Sequence, residues 1–401
     1  MKVGILTQPL TNNYGGLLQA YALQTTLERM GHEVIILNRP MPFVPDVAND
    51  AFVPSAIRFA KNFVKFLLCK PLIKVYHELL PQQHIVANRL TEIFIVSYHH
   101  KSPDFSTTES LAAYCCKQGI EAYVVGSDQC WRPLYSPCLT NYFLDFAKDW
   151  NVKRISYAAS FGVDHWEYSD EETRTCAPLA QKFDAVSVRE ETGIALCKEH
   201  LGVDAVHVLD PTMLLDVNDY NALVQAFDPK TFNIAPEHRV KTTLDVKDKK
   251  LFCYVLDMNA RKLDFIQTVS EATGLTPVEC MPKDYRAQEV FEKCPDDCTF
   301  PPVELWLQSF RDSEMVIADS FHGTVFSIIY NKPFWVLGNP DRGMARFHSV
   351  LKMFGLEDRL VTPDKLDTLD IDAPIDWISV NARREELKQK SLTFLKENLG
   401  A

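Results

Sequence analysis

Nothing in the 401 residues approaches eighteen uninterrupted apolar side chains, so no segment reads as a bilayer-spanning helix. The opening MKVGILTQP lacks the long apolar core of a signal peptide and reads directly as a first strand. Positive charge is in deficit: 42 Lys and Arg face 53 Asp and Glu, a net charge of −11, which argues against nucleic acid as the main partner. The eleven cysteines are scattered, apart from Cys115-Cys116 and the pair Cys294 and Cys298 in CPDDC. No paired CxxC or His/Cys cluster offers four ligands at usable spacing, so no metal centre is expected, and no third nearby cysteine completes an iron–sulfur site at CPDDC. The thiols read as reduced groups of a cytoplasmic protein. GxGxxG and GK[ST] loops are missing too, which removes the familiar dinucleotide and P-loop signatures.

What is present is alternation. Apolar strands are expected at residues 3–7, 33–37, 122–126, 155–159, 185–188 and 205–209, with helical spacing between several of them, as in GLLQAYALQTTLERM. Composition turns polar between Asp216 and Lys250, with Pro229 and Pro236, and a domain boundary is placed there. A second alternation then starts, with strands at 251–256, 276–280, 315–319 and 334–338. The expected architecture is α/β: two Rossmann-like, doubly wound domains facing a cleft, residues 1–215 and 216–379, followed by a surface helix at 380–401. The first domain is expected to hold the acceptor side and the second carries DSFHG.

Ligands of open parallel sheets bind beyond the carboxyl ends of the strands. The segments that follow the expected strands are TQPLTNNYGG, GSDQCW, SFG, RE, DPT and DSFHG. NNYGG brings Asn13, Tyr14, Gly15 and Gly16 to a helix start, where exposed N–H groups can hold an anion; the plain alternative is a tight turn capped by asparagine. GSDQCW offers Ser127 and Asp128; the carboxylate suits a base, a sugar-hydroxyl acceptor or a helix cap, and Trp131 suits sugar stacking or packing. Ser160 stands in SFG. Arg189 in SVRE can clamp a phosphate or carboxylate, or simply pair with Glu190. Asp210, before Pro211, is held out of helix geometry. In DSFHG, Asp319 or Ser320 should cap a helix whose first turn holds His322 and Gly323. A histidine there can take a proton from a hydroxyl and pass it on, although a lone histidine is more often structural.

With NNYGGLLQAYALQ, VVGSDQCW, ISYAASFG, SVRE, DPTMLL and ADSFHGTVFSIIYNKPF in that order, the chain resembles the polysaccharide pyruvyl transferase family from Gly4 to about Arg346. The resemblance implies a glycosyltransferase-B-like fold. It also implies transfer of the enolpyruvyl unit of phosphoenolpyruvate to a sugar as a ketal, with no cofactor. By position, His322 matches the family's catalytic histidine, Arg189 its strand-end arginine and Asp128 the acidic position of the GSD segment. Many relatives carry a basic residue where this chain has Ser320; Lys332, Arg342 and Arg346 are candidates to replace that anion contact. The roles expected are His322 as general acid/base, Arg189 as anion clamp, and Asp128 orienting the acceptor or the histidine.

Two rivals use the same fold: a glycosyltransferase with a nucleotide-sugar donor, and a non-catalytic sugar-binding protein. A further reading concerns residues 51–77, which carry Arg58, Lys61, Lys65, Lys70 and Lys74 and no acidic residue. Such a segment can rest on the inner face of an anionic membrane, near lipid-linked saccharide acceptors, but an ordinary surface helix is the favoured alternative.

Overall fold

The computed structural model describes residues 1–41, 81–232, 240–247, 249–283, 288–338, 343–362 and 369–400. The basic segment 51–77 and Arg342 lie outside the described residues.

Short apolar runs bounded by turns form parallel strands, the central ones of each sheet buried on both faces. In the first domain β1 (Lys2–Leu6), β2 (Glu33–Ile36), β3 (Ala122–Val125) and β4 (Lys153–Ser156) pair in the order β2-β1-β3-β4. The pair β5 (Ser187–Val188) and β6 (Val206–His207) continues this sheet, because bridges Ile155–Ala185 and Ala159–Val188 tie it to the chain around β4. In the second domain β7 (Lys250–Tyr254), β8 (Thr276–Val278), β9 (Met315–Ala318), β10 (Phe334–Leu337) and β11 (Leu360–Val361) run in the order β11-β10-β9-β7-β8. All the strand pairs are parallel. Strand order reverses between β1 and β3 in one sheet and between β7 and β9 in the other. Crevices open at such switch points, and that is where the site lies.

The domains share one hydrophobic core. Tyr14, fully buried, leaves the first-domain helix Tyr14–Arg29 and stacks on Trp306 of the second domain, 5.6 Å between centroids at 22°. Its hydroxyl donates to the Pro301 carbonyl at 2.8 Å. A stacked aromatic pair of this kind adds about 0.5–1.5 kcal/mol beyond area burial. The helix Pro81–Tyr98, which sequence periodicity did not disclose, crosses to the second domain as well, its Ala87 carbonyl accepting from Phe300 N–H at 2.9 Å.

The C-terminal helix differs from the expected surface element. It spans Trp377–Leu399, buries Val380, Ser391, Phe394, Leu395 and Leu399, and returns to the first domain. There Leu209 N–H donates to Ser391 Oγ at 3.0 Å, and Phe394 meets Tyr157 at 6.3 Å. Its many Lys, Arg and Glu residues hide a narrow apolar seam. The two-residue β11 was also missed, because its apolar run in the sequence is only Leu360-Val361, whereas the equally short β5 and β6 lie within longer apolar stretches.

Candidate active site

Two helices begin face to face across the interdomain cleft, and both are capped the same way. Asn13 Oδ1 accepts from Gly16 N–H at 3.2 Å, and Ser320 Oγ accepts from Gly323 N–H at 2.9 Å. Each cap satisfies one of the orphan N–H groups of a first turn. Gly15 is required by the opposite domain: a Cβ there would lie 2.0 Å from Nδ1 of His322. Gly323 is required by its own domain, since a Cβ would lie 2.7 Å from that of Ala318, so it serves helix-on-strand packing rather than a ligand.

Behind this junction is a buried charge cluster. Arg189, at the end of β5, donates from Nη2 to Asp128 Oδ1 at 3.2 Å, from Nη1 to Asp210 Oδ2 at 3.0 Å and from Nε to Glu190 Oε1 at 3.4 Å. Its guanidinium lies 4.3 Å from the centre of the Phe321 ring. His322 Nε2 comes within 3.5 Å of the same Asp210 Oδ2, so both domains meet on one carboxylate oxygen. Asp210 also accepts from Thr212 N–H at 3.0 Å, its hydroxyl at 2.7 Å, and Ser127 Oγ at 3.2 Å. Ser160 Oγ donates to Glu190, and Asn13 Nδ2 to Asp128 Oδ2 at 3.4 Å. Asp128 occupies the left-handed region at φ 69, uncommon for a residue with a side chain.

Burial works against the charges of Asp128, Asp210, Arg189 and Arg346, and their partners overcome it unequally. It would raise the carboxyls of Asp128 and Asp210, yet Arg189 and His322 hold both below the usual carboxylate range. The same carboxylates push Arg189 upward against its own desolvation. Arg346, buried and repelled by Arg189, is instead drawn down to about 10.

The cleft in front has a volume of about 560 Å³. Of the residues expected from sequence, Asn13, Gly15, Asp128, Asp319, Ser320, His322 and Arg346 form its wall. Tyr14, Gly16, Ser127, Ser160, Arg189, Asp210 and Gly323 stand behind that wall. Three expectations change accordingly. Arg189 is not a free anion clamp, because its three nitrogens are committed to three carboxylates. The carboxylate beside His322 is Asp210 rather than Asp128. Asp319 faces the cleft but its oxygens accept from Leu256 N–H (2.6 Å), Asp257 N–H (3.1 Å) and Lys262 Nζ (2.6 Å), making it the anchor of the loop after β7.

Trp131 packs, fully buried, in parallel on Phe143 at 5.1 Å, and Lys332 donates to the Arg311 carbonyl, so neither meets the cleft. Sequence reasoning missed Gln129, Tyr254, Asp257, Lys283 and Phe300, which also line the cleft. The strand-end rule applied to residues 251–256 points directly to Asp257, and Gln129 stands within GSDQCW beside Asp128; Tyr254, Lys283 and Phe300 belong to no motif. Among the described residues, no group of three His, Cys, Asp or Glu is arranged to hold a metal ion, and no helix is long and apolar enough to cross a membrane.

The fold has known counterparts. UDP-GlcNAc 2-epimerase from Methanocaldococcus jannaschii superposes with a TM-score of 0.53 at 12% identity, covering 98% of this chain and 100% of that one. The Neisseria meningitidis UDP-GlcNAc 2-epimerase bound to UDP-GlcNAc gives 0.52 at 11% identity, covering 100% and 99%. UGT89C1 of Arabidopsis thaliana, complexed with UDP-L-rhamnose, gives 0.50 at 10% identity, covering 98% and 97%. At these identities the likeness establishes the glycosyltransferase-B-like fold and nothing finer. No curated protein matches the chain. The family model for polysaccharide pyruvyl transferase, however, matches residues 13–342, from the asparagine cap of the first helix to the arginine after DSFHG, and the chain belongs to that family.

Proposed function

We propose that this protein transfers the enolpyruvyl group of phosphoenolpyruvate to a sugar of a cell-surface polysaccharide, or of its lipid-linked precursor, as a pyruvate ketal. The carrying observation is His322: a cleft-wall imidazole from one domain, set 3.5 Å from a buried carboxylate of the other. His322 protonates the methylene carbon of phosphoenolpyruvate, which makes the central carbon electrophilic, and then takes the proton of the attacking hydroxyl. The carbon–oxygen bond to phosphate breaks, and a second hydroxyl closes the ketal. Of the two hydroxyl protons, one ends on the new methyl group and one on the departing phosphate, so the step balances without a redox cofactor.

The other residues divide the remaining work. Asp210 orients the imidazole, and Arg189 holds Asp210 and Asp128 in register. Arg346 and the first-turn N–H groups of the two facing helices supply positive potential for the phosphate and carboxylate. Asp128 and Asn13 present polar atoms to the acceptor from the first domain. The cleft is several times larger than phosphoenolpyruvate, and Tyr254 and Phe300 give it the apolar faces on which a sugar stacks.

Candidate glycans incubated with phosphoenolpyruvate should gain one pyruvate ketal by mass spectrometry. His322→Ala should slow phosphate release by about 10²–10⁴-fold; undiminished release would remove the assignment. Thermal stabilisation by a UDP-sugar and not by phosphoenolpyruvate would instead identify a glycosyltransferase.

A further inference from the structure

A second cavity, of about 210 Å³, shares no lining residue with the cleft. It is built where three parts of the chain converge: the β5/β6 edge of the first domain, the second-domain helix Ala345–Phe354 and the returning C-terminal helix. Its floor is apolar, from Leu209, Met353 and Leu387, and its rim is cationic, from Lys352, Arg383 and Lys390. With Glu191 on the same rim, the lining carries three cations to one carboxylate, in a protein of net charge −11. The cations are tied mainly by surface pairs, Lys352 to Glu191 at 2.7 Å and both Arg383 and Lys390 to Glu386 at 2.7 and 2.5 Å, with Arg383 Nε also donating to the Met353 carbonyl at 3.4 Å. Such exposed pairs are weak, and a dianion can displace or share them.

Two connections run from this cavity to the cleft. His207, on its wall, donates from Nε2 to the Arg189 carbonyl at 2.9 Å, since a carbonyl can only accept. The side chain of that same Arg189 holds Asp128 and Asp210. The helix Ala345–Phe354 carries Arg346 in its first turn, on the cleft, and Lys352 in its last, on this rim. We propose that the cavity is a regulatory site for a phosphate monoester, with the phosphate on the Lys352, Arg383 and Lys390 rim and the organic part on the apolar floor. An occupant joins the second-domain helix and the C-terminal helix to the first-domain strand edge. It thereby sets how closely Arg346, on the cleft, approaches the Arg189 frame behind the cleft wall. The two sites are then coupled through a rigid helix and one hydrogen bond from the His207 ring to a backbone carbonyl, and the coupling is reciprocal.

The test uses phenyl phosphate and inorganic phosphate as probes in calorimetric titrations of the full chain. The variants are Arg383→Glu/Lys390→Glu, both exposed, and Arg346→Met, which removes the cleft's arginine. Phenyl phosphate should bind the Arg346→Met protein more tightly than inorganic phosphate, and the rim double variant should lose at least tenfold in affinity at this site. If Arg346→Met does not fold, the wild type should show two binding events and the double variant one. Bound phenyl phosphate should also slow amide hydrogen exchange in Ala345–Phe354 in the wild type and not in the double variant. Equal binding by wild type and double variant overturns the site, equal affinity for the two probes overturns the monoester, and unchanged exchange overturns the coupling.

Discussion

The first domain brings Asp128, Arg189, Glu190 and Asp210 to the junction, all at most 4% exposed, and they spend their side chains mainly on one another. The second domain brings Ser320, His322 and Arg346, also tightly packed but each with a face on the cleft. One half is a closed electrostatic frame and the other is the working surface. Taking several charges out of water is costly, and here the cost is offset by placing an imidazole from another domain against a fixed carboxylate. Conformational freedom would return if that frame were loosened.

The comparison can be broken most severely in the frame. Arg189→Met leaves three buried carboxylates without their shared partner, and should cost about 3–5 kcal/mol in urea unfolding. An unchanged midpoint would mean that water enters and solvates the cluster. Next in size is Gly15→Ala. Its methyl group would collide with the His322 ring, and turning that ring away should lower turnover by about 100-fold, in keeping with the sensitivity of proton transfer to placement. Full activity would show that the imidazole is free to move, against its burial. The smallest effect belongs to the matching caps. Ser320→Ala and Asn13→Ala should each cost about 1 kcal/mol of stability, measured by thermal unfolding. Ser320→Ala should also depress turnover more than Asn13→Ala does, because its helix aims His322 whereas Asn13 only meets the acceptor. Equal losses of turnover in both would erase the distinction between frame and working surface.

Much of this arrangement was readable from residue order. The strand-end rule located NNYGG, GSDQCW, SVRE, DPT and DSFHG on one side of their sheets, and the structure brings parts of all five to one junction. It could not say which side chains face the cleft. Asp128 and Asp210 are both aspartates just past a strand, yet only Asp128 reaches the wall. Arg189 resembles a phosphate clamp in sequence because nothing local shows that the carboxylates of residues 128 and 210 will close around it. Tyr14 lies within the motif but turns into the other domain's aromatic core. The distinction depends on partners tens or hundreds of residues away, and no local pattern encodes them.

Composition and periodicity alone determined a two-sheet α/β chain with parallel strands, because uninterrupted apolar runs must be buried on both faces. Motif order alone determined the family. Only the tertiary structure decided that a glycine of one domain makes room for a histidine of the other, that an arginine is part of the frame, and that the last helix returns to the first domain. Those outcomes rest on contacts between residues distant in sequence, where packing geometry and desolvation, rather than local propensity, select the neighbour.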